Sequence, residues 1–359
     1  CSSGSRARVA APEPLVRALE PSDAPALEAL CAHPEVARWL GGTPFDASSR
    51  FRDYLKGLDA ERSLILGLFE GSALRGYAGL TGRARLRQRH VAELSMAVDP
   101  AHRRRGVGDR LLRRLLEAAD RWYGWLRIEV GVSADGMGAI ALLRTHGFEP
   151  EARQHAAIVS EGRLADVLSM ARLRAGFVSP PELGSTPPAP ARGLRATVTL
   201  RAPREGDAEG FARLFEAESV LEGTMQLPHQ TVSSWSKRLA ANDADVCVIV
   251  AEHEGRVAGS GGLFPIGESP RVRHVRTLGM AVHPELQGRG VGHALMTGLL
   301  EQADLWLGLG RVELEVYVDN ARARALYERH GFVLEGTRRA VAFRRGSYVD
   351  AHAMARVRT

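Results

Sequence analysis

The chain has 359 residues, 45% of them hydrophobic and 25% charged, and a formal net charge of +6. That length holds two domains with real cores, and that composition excludes a disordered, collagenous or fibrous chain. The modest excess of cations suits a polyanionic small molecule as well as nucleic acid. No aromatic–basic reading motif accompanies it, so nucleic acid is not an expected partner.

The cysteines are Cys1, Cys31 and Cys247, scattered and odd in number. No metal spacing or disulfide framework follows, so no metal is expected and a reducing compartment is the default. No apolar run approaches membrane-spanning length and the first thirty residues lack an apolar signal core, which makes cytoplasmic the expected location and a membrane partner unexpected. The chain opens on Cys1 rather than Met, as a fragment, a processed form or a lipid-modified N-terminus would.

Read in order, the chain repeats itself. Arg17-Ala18 returns as Arg201-Ala202, Pro44 as Pro228 and His90-Val91 as His274-Val275. Arg127-Ile128-Glu129-Val130 returns as Arg311-Val312-Glu313-Leu314, His146-Gly147-Phe148 as His330-Gly331-Phe332, and Met170-Ala171-Arg172 as Met354-Ala355-Arg356, all at an offset of 184. A period that long is a duplicated domain. The expected division is a first domain over 14–175, a Pro-rich extended linker over 176–195, and a second domain over 196–359.

Each copy opens on a short strand (Leu15–Leu19, Thr197–Arg201), then a helix rich in Ala and Leu, then a second helix. In the second copy Asp245–Ala251, Glu254-Gly255 and Arg256–Gly259 read as a hairpin, the acidic-Gly pair marking its turn. A further strand, Leu278–Val282, leads through His283-Pro284 into Gln287-Gly288-Arg289-Gly290-Val291-Gly292 and an amphipathic helix with Val291, Leu295, Leu299, Ala303 and Trp306 on one face. The first copy repeats this as Leu94–Pro100, then Arg103-Arg104-Arg105-Gly106-Val107-Gly108, then Val107, Leu111, Leu115 and Ala119. A strand over Val312–Val318, a helix ended by Gly331 and a closing hairpin complete the copy. The order β-α-α-β-β-β-α-β-α-β-β predicts an α/β (α+β) fold, a mixed sheet flanked by helices.

A Gly-rich loop opening a helix is an anion site, because the helix N-terminus offers unpaired amides and the positive end of a dipole. A nucleotide P-loop would need Gly-Lys-Ser/Thr at the helix start, and a dinucleotide fold would place its glycines after the first strand; neither pattern is present.

Gln/Arg-x-x-Gly-x-Gly after a strand ending in Val-x-Pro resembles the acetyl-CoA pyrophosphate motif of the GNAT superfamily of N-acetyltransferases. Both copies match, with Gln287, Gly290 and Gly292 in the second and Arg103, Gly106 and Gly108 in the first. The second copy also carries a stretch like the family's later signature, Val318-Asp319-Asn320 through Leu326-Tyr327 to His330-Gly331-Phe332. Nearly its whole length resembles the bacterial L-amino-acid N-acetyltransferase branch.

The resemblance implies two tandem GNAT domains, each a mostly antiparallel twisted sheet with splayed central strands. It implies acetyl-CoA as acyl donor and no metal. Met280, Ala281 and Val282 would hold the cofactor's amide arm along the freed strand edge, and Gln287, Gly288, Arg289, Gly290, Val291 and Gly292 its pyrophosphate. Asn320 would bond the arm, or cap its helix, or both, and Tyr327 would protonate the departing thiolate. The family's acidic base stands at Glu93 in the first copy, where the second has Thr277; Glu222, His229 and His274 are the candidate substitutes there.

In register, Asn320 corresponds to Gly136 and Tyr327 to Leu143, so the first copy is expected to be degenerate, with Arg103–Gly108 a second cofactor loop or a vestige. The acceptor is expected to be a small amine such as an amino acid, lined by residues near Thr224–His229 and Arg344–Tyr348. A protein N-terminus, an aminoglycoside, a mycothiol-type acceptor and a non-catalytic acyl-CoA sensor stay open. A tandem pair of this kind can also mimic a family homodimer.

Overall fold

In a computed structural model the described residues are 14–40, 43, 46, 48–177, 195–241 and 245–358. Pro44, Cys1 and residues 178–194 of the expected Pro-rich linker lie outside them. Contacts divide the chain into two units. The first is Cys1–Glu149 with Met170–Phe177, and the second is Pro150–Ser169 with Val178–Thr359.

The first unit begins with β1 (Leu15–Ala18), then α1 (Ala24–Ala32), the short α2 (Pro34–Ala37) and α3 (Ser48–Lys56). Next come β2 (Ser63–Glu70), β3 (Ala73–Gly82), β4 (Val91–Val98), α4 (Val107–Ala118), β5 (Arg127–Ser133) and α5 (Met137–Thr145). The sheet order β1-β2-β3-β4-β5 is antiparallel except for β4–β5, which is parallel. Leu27, Leu30, Cys31, Tyr77 and Leu55 make one buried cluster under α1 and α3.

A long hairpin, β6 (Glu149–Ser160) and β7 (Arg163–Leu173), follows, and its residues 150–169 belong by contacts to the second unit. That unit continues with β8 (Thr199–Arg201), α6 (Ala208–Glu216), α7 (Glu218–Gly223), α8 (Val232–Ala240), β9 (Cys247–His253), β10 (Arg256–Pro265) and β11 (Val275–Val282). It ends with α9 (Val291–Glu301), β12 (Arg311–Tyr317), α10 (Ala321–Arg329), β13 (Val333–Arg344) and β14 (Ser347–Val357). The strand order is β6-β13-β14-β12-β11-β10-β9-β8. The Glu254-Gly255 turn has both residues at positive φ, 50° and 73°, the type I′ geometry whose twist matches antiparallel strands.

Two expectations need correction. Three helices, not two, precede the β9–β10 hairpin, because Thr224 adopts an extended backbone and ends α7 before α8 begins. Trp306 is not on the buried face of its helix. Val291, Leu295, Leu299 and Ala303 are buried, but Gln302–Trp306 winds as a π-helical turn. Its wider turn rotates later side chains outward, leaving Trp306 73% exposed. The stripe itself anchors α9: Leu295 and Leu299 are fully buried, and truncating either to Ala costs roughly 2–5 kcal/mol.

Candidate active site

Two central strands of the second unit part company. β11 and β12 run parallel and pair only at Val275↔Arg311, Arg276↔Val312 and Thr277↔Glu313. Beyond Thr277, β11 keeps its other partner, with Leu278 through Val282 opposite β10. Met280, Ala281 and Val282 therefore lie past the point where the strands separate, on a strand with one edge out of the β12 ladder.

At the end of β11 the chain turns through Pro284–Leu286, a single 3₁₀ turn, into the Gly-rich loop. Gly288 and Gly290 sit at φ 76° and 90°, a region costly for any residue with a Cβ. Gly290 is the N-cap of α9 and, being glycine, supplies no side-chain cap. The first intrahelical bond runs from Ala294 N to Gly290 O at 3.0 Å, so the amides of Val291, Gly292 and His293 start the helix without an intrahelical acceptor. Such an end suits an anion. A Cβ at Gly292 would come within 3.2 Å of Leu326, so this glycine serves the packing of α9 on α10.

The Gln287 side chain turns inward. Its Nε2 donates to Val282 O at 3.0 Å, and its Oε1 accepts from Arg322 at 2.5 Å. The pair pins the loop to the strand end and to the first turn of α10. Arg322 is not among the residues that the sequence points to, though it stands two residues after Asn320 in the family-like signature. Burial lowers the pKa of this guanidinium, the mark of a cation held partly out of water. Arg289 O accepts from Ala196 N at 2.9 Å, and the Arg195 side chain lies over Gly290.

Asn320 caps α10, its Oδ1 accepting from Ala323 N at 3.1 Å. Its Nδ2 donates to none of the described residues. Seven residues on, Tyr327 is 8% exposed and packs among Leu314, Val316, Met296 and Phe332, with Met280 beside the cluster. Its hydroxyl makes no hydrogen bond to any described residue. Burial pushes its pKa up to about 12, so the phenol keeps its proton at neutral pH.

Met225 and Arg344, one from each segment expected on the acceptor side, both reach the Tyr317 side chain. Tyr317 OH donates to Met225 Sδ at 3.3 Å, and Arg344 lies over the Tyr317 ring while it bonds Asp319 and Glu222 O. The substitute bases fare differently. Glu222 is ion-paired with Arg345 at 2.5 Å. His274 Nε2 lies 2.9 Å from Ala156 O, bound into the 150–169 hairpin. His229 occupies a loop at φ 63°. Among the described residues no three His, Cys, Asp or Glu side chains group as a metal site, and no helix is long and apolar enough to cross a membrane.

In the first unit β4 and β5 separate likewise after Glu93↔Glu129, and Gly106 caps α4 at φ 80° with no side-chain cap. The rest differs. Arg104 takes the positive φ that Gly288 takes in the second copy. Arg103 bonds Glu35 at 2.7 Å. Leu143, at the Tyr327 position, is buried, and Gly136 caps α5 with no side chain.

The description "Acetyltransferase (GNAT) family" fits residues 31–148 and again 211–332. The L-amino acid N-acetyltransferase AaaT of Escherichia coli (strain K12) is 37% identical over 161 residues, 45% of this chain and 98% of that protein. The mycothiol acetyltransferase of Geodermatophilus obscurus is 30% identical over 335 residues, 91% of this chain and 96% of that one. The crystal structure of a GNAT-family acetyltransferase from Streptococcus pneumoniae matches 45% of this chain and 99% of its own, with 25% identity and a TM-score of 0.42. The chain belongs to the acetyltransferase (GNAT) family, once in each repeat.

Proposed function

We propose that the second repeat transfers an acetyl group from acetyl-CoA directly to the amine of a small molecule, an amino acid being the favoured class. The observation that carries the reading is the meeting, in one unit, of separated strands, a helix that starts on a glycine N-cap and a buried tyrosine whose hydroxyl has no partner among the described residues. The N-terminal end of α9 fits the pyrophosphate of the donor, and the edge at Met280–Val282 fits its amide arm, which carries a donor and acceptor pattern like a strand's. Asn320 contributes its Nδ2, without a partner among the described residues, to that arm while its Oδ1 caps α10.

Alignment of the two reactants supplies much of the rate. The neutral amine attacks the thioester carbonyl carbon, the C–S bond breaks, and the thiolate takes a proton that Tyr327 supplies. A phenol with its pKa pushed up to about 12 stays protonated and neutral until the leaving group needs the proton. The first repeat, with Leu143 and Gly136 at the corresponding positions, is a degenerate copy. The preference for an amino acid rests on the 37% identity to AaaT across 98% of that protein.

A mycothiol-type acceptor is the second reading, favoured by matches that extend across both repeats. Thiol release from acetyl-CoA, followed across amino acids, polyamines, peptides, aminoglycosides and a cysteinyl glycoside, tests both. Turnover with an amino acid supports the first reading, and turnover confined to the glycoside supports the second. Tight acetyl-CoA binding with no turnover on any amine would replace both with a sensor.

A further inference from the structure

Acetylation needs a base, and the position that carries Glu93 in the first copy carries Thr277 in the second. Strand register shows what stands beside it. Thr277 pairs with Glu313 at the last rung before β11 and β12 separate. Registered neighbours on paired strands point to the same face, so a carboxylate stands next to the position that lost one. Resting on the acetyl-transfer reading above, we infer that Glu313 is the group that accepts the proton of the amine, from the strand next to the one where the family's base is expected.

The surroundings differ between the copies in the way a base requires. In the first copy both oxygens of Glu129 are taken: Oε2 by Arg127 Nε at 3.2 Å, and Oε1 by Arg83, whose Nη2 lies 2.5 Å away. Arg83 also pairs with Glu93 at 3.2 Å, so one guanidinium neutralises both glutamates. In the second copy Arg311 Nε holds Glu313 Oε2 at 3.0 Å, and Oε1 has no partner among the described residues. Three further bonds from Arg311 go to Glu335, at 2.6 and 2.8 Å, and to His155 O at 2.7 Å.

The counterpart of Arg83 is gone. Gly82 pairs with Ala92 as Pro265 pairs with Arg276, so the residue after each, Arg83 and Ile266, occupies the same place. Ile266 is partly exposed and brings no charge. The Glu313 side chain is 19% exposed, within reach of a water or an amine. The charged groups that face it are Arg311, Glu335 and Glu315; Glu315 spends its own carboxylate on Arg338. Burial raises the pKa of Glu313, with Arg311 pulling the other way, and a raised pKa makes a stronger base.

The protons balance. The ammonium of the acceptor gives one proton to Glu313, which later releases it to water. The amine lone pair forms the C–N bond, the C–S bond breaks, and the second nitrogen proton replaces the one that Tyr327 gives the thiolate. The products are the amide, the thiol and one proton.

The test is the pH profile of kcat/KM for thiol release with the best amine found. Wild type should lose activity as pH falls through the Glu313 pKa, at a pH that does not move when an amine of different basicity is used. Glu313→Gln should lower kcat/KM roughly 100-fold at neutral pH and abolish that limb, with acetyl-CoA titration unchanged. Ile266→Arg, a surface change that restores the first copy's cation, should cost tenfold or more and move the limb to lower pH. It keeps the test decisive if Glu313→Gln does not fold. Glu315→Gln should keep the limb. A limb that persists in Glu313→Gln, is unmoved in Ile266→Arg, or vanishes in Glu315→Gln overturns the assignment. Absence of turnover by wild type on every amine would overturn the acetyl-transfer reading instead.

Discussion

Replacing Tyr327 by Phe removes one oxygen from a ring that is 8% exposed. The hydroxyl has no partner among the described residues, so its loss breaks no hydrogen bond, and the ring keeps its packing on Phe332, 6.0 Å between centroids. Stability should change by less than about 0.5 kcal/mol. Turnover should fall roughly 10²–10⁴-fold, the usual contribution of a positioned acid, or about 2.7–5.4 kcal/mol at ~1.36 kcal/mol per tenfold. An acid must enter the step protonated, and this phenol releases its proton only near 12; between about pH 6 and 10 no alkaline loss of turnover should trace to it. The assay is steady-state thiol release at saturating acetyl-CoA, beside thermal melts. Leu143→Ala is the companion. That residue is 2% exposed, so the variant should melt earlier by roughly 2–5 kcal/mol yet keep its turnover per folded molecule. A Tyr327→Phe enzyme within threefold of wild type, or turnover that falls equally in the two variants, would refute the division between the copies.

Gly290→Ala puts a Cβ at φ 90° and 3.3 Å from Arg195, a strain of about 1–2 kcal/mol; affinity for acetyl-CoA should drop roughly tenfold by calorimetry. Gly106→Ala, with open space around it, should leave that affinity unchanged, and equal losses would tell against the assignment of the loops. Calorimetry of wild type should find one acetyl-CoA per chain; two sites would make the first copy a working cofactor domain. Asp207 bonds Arg201 at 2.7 and 2.8 Å and Arg204 N at 2.7 Å, and the bond from Arg201 first among these holds its carboxyl below the ordinary range. The stabilisation is therefore present above the unfolded pKa of about 3.9 and is lost as pH falls through the folded value. Asp207→Asn should cost ~3 kcal/mol at neutral pH in urea melts, with the gap to wild type closing in acid.

Much of this protein is legible in the sequence because its signals are local. A repeat at a fixed offset, a turn that needs Gly255 at positive φ, and a helix start that strains any side chain at Gly290 are properties of a few adjacent residues and their backbone. The stripe of Val291, Leu295 and Leu299 follows from helical period alone, as does the spacing of Asn320 and Tyr327 on α10. Trp306 broke the pattern because one π-helical turn changes the period, and nothing in the local residues announces it. Three further facts belong to the tertiary structure. Gln287 faces inward because Arg322, 35 residues away in sequence, comes to meet it. His274 is occupied because residues 150–169 pack in the second unit. Glu313 stands beside Thr277 because two strands are in a particular register. Register depends on the summed packing of whole strands rather than on any residue's own preference, so a neighbour across a sheet cannot be read along the chain.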